Sequence, residues 1–239
     1  MINRKFKKDV FTLQFKVLFM DEQHQSLQNI QHIKNMMERS SKFISLSGLS
    51  GISAGLCALV GAWFANSKIS VYNYEHSAAL NDDRGRYIFR DGVILLINQL
   101  VTIASLTFVA AFISSFFFTY LRSKRTGNPL WGTSSMRLLW NTLIPLGVGG
   151  LFLLKCLQLG FYDLMAPGCL IFYGLALVNG SKYTLGEVRY LGYGQLGLGI
   201  LNLWIMGYGI YFWAIGFGIL HILYGLLMWF KYERESNNE

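Results

Sequence analysis

Long apolar segments alternate with polar ones from residue 43 to residue 230. A helix needs about 20 apolar residues to cross about 30 Å of hydrocarbon. The segments that reach this length are 43–65, 93–120, 138–158 and 210–230. Two further segments, 161–179 and 190–206, are shorter and carry polar residues. The pattern predicts about six transmembrane spans.

The continuity of these segments favours helices over barrel strands. In lipid the backbone must satisfy its own hydrogen bonds, so spanning segments form helices or a closed barrel. Barrel strands alternate in polarity over about ten residues, and these segments do not. A content of 53% hydrophobic and 14% charged residues is also unusual for a soluble domain. We predict an all-α polytopic membrane helix bundle of about six transmembrane helices over residues 43–230.

The Lys and Arg residues predict the orientation of this bundle. A net charge of +8 is compatible with nucleic-acid binding, but the positive residues lie mainly in alternate polar segments, as the positive-inside rule describes. Residues 1–42 hold eight of them and residues 121–137 hold four. We predict that both termini are cytoplasmic, with residues 231–239 as a cytoplasmic tail. The expected partner of the chain is the lipid bilayer, and no nucleic acid is expected.

Residues 66–92 form the longest predicted outer loop. The β-branched and aromatic residues of ISVYNYEH, at 69–76, predict a short strand, and NDDRGR, at 81–86, predicts a turn. Asp82 and Asp83 lack EF-hand spacing, so no metal site is assigned to them. We expect this loop to form a solvated cap on the bundle.

The segment before the first span has two parts, and each part has two possible interpretations. Residues 1–19 are basic with interleaved aromatic residues. Either they lie on an anionic membrane surface, or translation starts at Met20. Residues 21–39 have apolar positions at helical spacing and predict a weakly amphipathic cytoplasmic helix. This helix either orients the first span or docks a protein partner or a second protomer.

Small residues in the spans indicate close helix packing. Ser47, Gly51 and Gly55 in the first span are spaced by four, which lets two helices approach closely. This face belongs either to the bundle centre or to a dimer interface. Glycines also follow Pro145 in the third span and recur in the fifth. They either permit packing or mark the flexible, broken helices of a transporter.

Polar residues inside spans form the candidate polar intramembrane site, Lys155, Asp163 and His221, because burying such groups is costly. Lys155 lies near the outer end of the third span, where it can snorkel to the headgroups, pair with Asp163 or contact an ion or substrate. His221 lies near the middle of the last span, and a neutral histidine bonded to a neighbouring helix is favoured over a proton relay. Interhelix hydrogen bonds are also expected from Asn98, Gln99, Asn141, Gln195 and Asn202.

Aromatic residues give a second test of the predicted spans. Trp and Tyr favour the two membrane interfaces, and most of those in the chain fall near predicted span ends. Tyr173 and Tyr224 do not, because they lie well inside their spans.

Known catalytic and metal-binding motifs are missing from the sequence. It contains no HExxH, GxSxG or Walker A motif. Cys57, Cys156 and Cys169 lack CxxC spacing and lie in or beside apolar spans, so neither a zinc site nor a disulfide framework is predicted. No catalytic residue is assigned, and the cofactor is unknown.

Two segments carry a family resemblance. They are MERSSKFISLSGLSGISAGLCALVGAWFA, starting at Met37, and KYTLGEVRYLGYGQLGLG, at 182–199. Through them the chain resembles an uncharacterised family of bacterial multi-pass inner-membrane proteins, from about Met20 to the C-terminus. The resemblance implies an integral protein of the bacterial inner membrane and favours Met20 as the start. It implies no reaction, substrate or catalytic residue.

The missing motifs and the N-terminal helix together favour binding over catalysis. We expect a non-enzymatic regulator, sensor or assembly partner, with a protein partner or a homo-oligomer formed through the N-terminal helix or the first span. The alternative is a small-solute transporter or channel, favoured by the glycine-rich spans, Lys155 and His221.

Overall fold

The computed structural model describes residues 47–79, 85–127 and 131–232, where every regular element is helical. The helices are α1 (Gly48–Ala79), α2 (Gly85–Thr126), α3 (Thr133–Leu159), α4 (Met165–Gly180), α5 (Glu187–Trp204), α6 (Gly209–Trp213) and α7 (His221–Tyr232). Short 3-10 turns, Tyr162–Leu164 and Ser181–Tyr183, flank α4. A π-helical segment, Ala214–Leu220, joins α6 to α7 without a break, and we call this continuous unit the last helix. The all-α class is confirmed for the described residues.

Five helical stretches in these ranges are long and apolar enough to cross a membrane. They are Gly48–Glu75, Gly92–Thr126, Thr133–Leu159, Tyr162–Tyr183 and Gly209–Lys231. The chain is therefore a multi-pass helical membrane protein. Helix α5, which covers most of the predicted fifth span, is not among the five, because polar residues such as Glu187, Arg189 and Gln195 interrupt its apolar sequence.

The predicted outer loop is largely helical, which corrects the sequence analysis. Helix α1 continues to Ala79 and α2 begins at Gly85, so the strand predicted at residues 69–76 is wrong. Strand propensity is a weak preference, and a helix that has already started gains one backbone hydrogen bond with each added residue. The two extensions touch, since a Cβ on Gly92 would lie 3.5 Å from Cε2 of Tyr72.

The helices pack in a chain of neighbours rather than around one centre. Helix α2 packs against α1, and α1 packs against the last helix. The last helix also contacts α4 and α5, which pack closely together, and α3 covers the other side of α4. An ion pair between Glu187 and Lys231 joins the start of α5 to the end of the last helix. The apolar stretch of α2 contains no buried residue, so this helix lies at the edge of the bundle.

Glycines bring α1 and the last helix to backbone distance. An added Cβ on Gly55 would lie 2.7 Å from the carbonyl oxygen of Gly218, and one on Gly51 would lie 3.1 Å from Cα of Gly225. Ser47, which directly precedes the first residue of α1, is also buried. The small-residue face of the first span is therefore covered within the chain by the last helix.

Helices α3 and α5 are unbroken despite their glycines. Helix α3 runs through Pro145 without interruption. In α5, Gly192 faces Gly174 of α4, and an added Cβ on Gly174 would lie 2.9 Å from the carbonyl oxygen of Gly192. The irregular helix is instead the last one, where the turns widen over Ala214–Leu220.

Two tight turns meet at one end of the bundle. Gly160 ends α3 with φ +81°, and Gly207 separates α5 from α6 with φ +85°. Both residues adopt the left-handed region that glycine enters without steric cost. These turns place Asp163 and Tyr208 at the same end of the bundle as the final turns of α1. The predictions made for residues 1–42, including the amphipathic helix at 21–39, and for residues 233–239 lie outside the described residues.

Candidate functional site

The structure does not bring the predicted polar site residues together. Lys155 is exposed on α3, and Asp163 is exposed in the 3-10 turn before α4. Among the described residues, no ion pair links Lys155 to Asp163. His221 is buried in the last helix and bonds to other residues. The three candidates therefore occupy separate environments.

His221 is held by two hydrogen bonds that fix its tautomer. Its Nδ1 lies 3.0 Å from the carbonyl oxygen of Gly216, and its Nε2 lies 2.8 Å from the Tyr173 hydroxyl on α4. A carbonyl oxygen can only accept, so Nδ1 carries the proton and donates it. In a neutral ring Nε2 is then an acceptor, and the Tyr173 hydroxyl donates to it. The hydrogen bond to a neighbouring helix that the sequence predicted is present.

The carbonyl of Gly216 joins a third helix to this network. Nε2 of Gln195, a fully buried residue of α5, donates to it over 2.7 Å. A Cβ on Gly216 would lie 2.6 Å from Oε1 of Gln195 and 2.4 Å from Cδ2 of Leu170, so a larger residue does not fit. The rings of Tyr173 and His221 also stack, with centroids 5.4 Å apart. The π-helical segment is thus the point where α4, α5 and the last helix are tied together.

Of the other predicted interhelix hydrogen bonds, only some are formed among the described residues. Asn141 of α3 accepts two hydrogen bonds from Nδ2 of Asn179 on α4, so it joins two helices as expected. Asn202 instead donates to the carbonyl oxygen of Ile205 in its own turn, over 3.1 Å. The side chains of Asn98 and Gln99 form no interhelix hydrogen bond to another described residue.

A cavity of about 580 Å³ lies at the end of the bundle where the Gly160 and Gly207 turns meet. Its walls come from the later half of α1, the early half of α2, the turn before α4 and the turn before α6. Ala62 and Ala65 form part of its floor and are nearly inaccessible. This volume falls within the range of ligand pockets, about 300–1,000 Å³.

Polar groups are few in this cavity and they differ in chemistry. Asp163 is the only charged side chain among the described residues that line it. Asn66, Ser70 and Thr107 contribute neutral donors and acceptors from α1 and α2. Asn202 also lines the cavity, and its Oδ1 is buried with no hydrogen-bond partner among the described residues. A mostly apolar wall with a small number of polar groups is typical of a small-molecule site.

Of the residues predicted from sequence, only Asp163 and Asn202 line the cavity. The remaining wall was missed because its residues are mostly small, apolar or neutral polar ones, brought together by five separate helices. Tyr173, the partner of His221, was also missed as a site residue. Its only signal in the sequence was its mid-span position, far from the interfaces that tyrosine favours.

The described residues offer no group of three metal ligands. Cys57, Cys156 and Cys169 are free thiols. His221 has Tyr173 and a backbone carbonyl as partners but no carboxylate bonded to it, so the described arrangement is not a catalytic triad. No protein-family model, curated protein or solved structure matches the chain. The site therefore has to be interpreted from its own geometry, which is that of a binding cavity.

Proposed function

We propose that this chain is a six-span protein of the bacterial inner membrane that acts by binding a small molecule, as a non-enzymatic regulator, sensor or assembly partner. Helix α5 is the sixth span in this proposal, and both termini are cytoplasmic. Its polar residues are compatible with crossing the membrane because Gln195 and Asn202 are buried inside the bundle rather than facing lipid. Membership in the family that the sequence resembles is part of the same proposal.

The cavity is the observation that supports this function. It lies at one end of the bundle, which is the outer end in the proposed orientation. The opposite end is closely packed, with Gly48 against the backbone of Gly225 and Trp229. Ser181 and Thr184 are also buried there. In this proposal a ligand enters from outside. Its binding changes how the helices pack, and because the same helices continue to the inner end, the change reaches that end, as in a sensor.

A protein partner would bind on the cytoplasmic side in this proposal. The amphipathic helix predicted at residues 21–39 supplies the docking surface. Homo-oligomer formation through the first span would need a different face of α1, since the Gly51–Gly55 face is covered by the last helix. Deleting residues 21–36 tests this part, because a partner that still co-purifies in full would exclude the helix as its docking surface.

Filling the cavity tests the ligand-binding function directly. Ala104 and Ala110 are both exposed alanines on α2, but only Ala104 lines the cavity. We expect wild type and Ala110→Phe, released gently from their own membrane, to carry the same bound small molecule in native mass spectrometry. Ala104→Phe should lose it, because the ring occupies the cavity. Equal occupancy in all three proteins would place the ligand elsewhere and exclude this site.

A small-solute transporter is the second candidate, and the position of the cavity between several helices at one end of the bundle favours it. A carrier holds its substrate in such a cavity before it closes around it. The two candidates differ in flux: proteoliposomes should accumulate the ligand identified by mass spectrometry if the protein is a transporter. Binding without accumulation would support the sensor.

A further inference from the structure

Among the described residues that line the cavity, one side chain carries a negative charge. Asp163 lies in the 3-10 turn between α3 and α4, and its side chain is exposed. It forms neither an ion pair nor a hydrogen bond with another described residue. Among the described residues that line the cavity there is neither Lys, Arg nor His. In this described part of the wall, a charged ligand group therefore meets one carboxylate and no cationic side chain.

Aromatic rings also line this cavity. Tyr162 precedes Asp163 in the chain, and Tyr208, Tyr211 and Trp213 line the cavity from the turn before α6 and from α6 itself. The rings of Tyr208 and Tyr211 have centroids 6.1 Å apart. The faces of tyrosine and tryptophan attract cations, and groups of such rings recognise ammonium ligands. The carboxylate and the aromatic rings therefore both favour a positively charged ligand group.

Other parts of the wall are apolar. Ile69 of α1 and Leu100 and Ile103 of α2 line the cavity on one side, and Met165 of α4 lines it on the other. These side chains can bury a hydrocarbon chain, with a gain of about 0.8 kcal/mol for each CH2 removed from water. A ligand that uses both parts of the cavity has a charged head and an apolar body.

We propose, on the basis of the ligand-binding function above, that the cavity binds an amphiphile with one ammonium group. The ammonium lies against the Asp163 carboxylate, among the faces of Tyr208 and Tyr211. The apolar part extends between the α1–α2 hairpin and α4. An anionic amphiphile is disfavoured because its head would meet the carboxylate. The amine headgroup of a phospholipid and a free alkylamine share this chemistry.

Three eight-carbon probes that differ only in the head group test the proposal. Octylamine, octanol and octanoate would be titrated at neutral pH, where the amine is protonated. The full chain would be held in nanodiscs of phosphatidylglycerol, which contains no amine. Isothermal titration calorimetry gives the saturable Kd of each probe. Asp163→Asn removes the charge, and Glu75→Gln is the matched control, because Glu75 is an exposed acid of α1 that does not line the cavity.

We expect wild type and Glu75→Gln to bind octylamine at least about tenfold more tightly than octanol, a ratio that corresponds to about 1.4 kcal/mol. Asp163→Asn should abolish this preference while octanol binding is unchanged. If octylamine and octanol bind equally to wild type, and Ala104→Phe blocks both, the cavity binds ligands but the ammonium proposal is wrong. If no probe binds saturably and Ala104→Phe also retains the native ligand, the proposed function fails as well.

A second set of nanodiscs distinguishes the two sources of the amine. Phosphatidylethanolamine would replace half of the phosphatidylglycerol. If it weakens octylamine binding to wild type but not to Asp163→Asn, the ammonium comes from a lipid headgroup. If octylamine binding is unaffected, the lipid headgroup is excluded and a free amine is the remaining source.

Discussion

Single polar contacts are important in this bundle because apolar side chains distinguish poorly between a neighbouring helix and lipid. Tyr173, Gln195 and His221 come from three helices and meet around the carbonyl of Gly216. The sequence predicted that His221 needs a partner, since a polar group inside a span is costly when left alone. It could not predict that the partner is Tyr173, because the two residues are 48 positions apart. Their meeting depends on how α4 and the last helix are rotated.

Removing the Tyr173 hydroxyl should destabilise the bundle slightly. Tyr173→Phe keeps the ring stacked on His221 and leaves Nε2 of His221 without its donor. We expect a loss of about 1 kcal/mol in the free energy of unfolding, since interhelix hydrogen bonds average about 0.6 and reach about 1.7 kcal/mol. Unfolding by SDS titration in mixed micelles measures this. Tyr190→Phe is the control, because Tyr190 is exposed. Equal stability of the two variants would contradict a net contribution from this bond.

At the scale of elements, the sequence predicted the apolar centres of helices better than their ends. The centres follow from the length of each apolar segment, which the membrane dictates. The extension of α1 through Tyr72 was missed, because helix continuation overrides the strand preference of those residues. The π-helical segment was also missed. The periodicity of residues Ala214–Leu220 does not distinguish a π-helix from an α-helix. The π-helical turns occur where Gly216 contacts other helices, and those contacts are not visible in the local sequence.

Glycine-to-alanine changes should separate packing glycines from lipid-facing ones. A Cβ on Gly225 would lie 2.5 Å from the carbonyl oxygen of Gly48, so α1 and the last helix must move apart to admit it. We expect Gly225→Ala to cost about 2 kcal/mol, in the range typical of overpacking. A Cβ on Gly197 meets nothing within 4 Å. Gly197→Ala should leave the free energy of unfolding unchanged or slightly raised, because alanine favours the helix. A stable Gly225→Ala variant would show that this crossing is not tightly packed.

At the scale of the whole molecule, the cavity is the feature that the sequence could least reveal. Its residues come from all helices from α1 to α6 and from two turns between them, and locally they resemble any membrane helix. Asp163 stood out because a charge near a span is rare, but a pairing with Lys155, one of the alternatives that the sequence allowed, is not formed among the described residues. The cavity results from the separation between the α1–α2 hairpin and the α3–α4 turn, a distance that no local pattern encodes.

The proposed topology makes a prediction about which residues face each side of the membrane. After replacement of Cys57, Cys156 and Cys169, single cysteines at Ser77, Lys182 and Tyr208 would report on three ends of helices, and all three positions are exposed. If α5 crosses the bilayer and the termini are cytoplasmic, a membrane-impermeant maleimide added to intact spheroplasts should label Ser77→Cys and Tyr208→Cys. Lys182→Cys should react only after permeabilisation.

Each alternative topology gives a different labelling pattern. If α5 does not cross, Lys182→Cys and Tyr208→Cys will react under the same conditions, because both ends of α5 then lie on one side. If the orientation is inverted, Lys182→Cys alone will react in intact spheroplasts. The cavity would then lie at the cytoplasmic end of the bundle, because Tyr208 lines it. A ligand for the proposed sensor would in that case come from inside the cell, so this labelling decides on which side the amphiphile must be supplied.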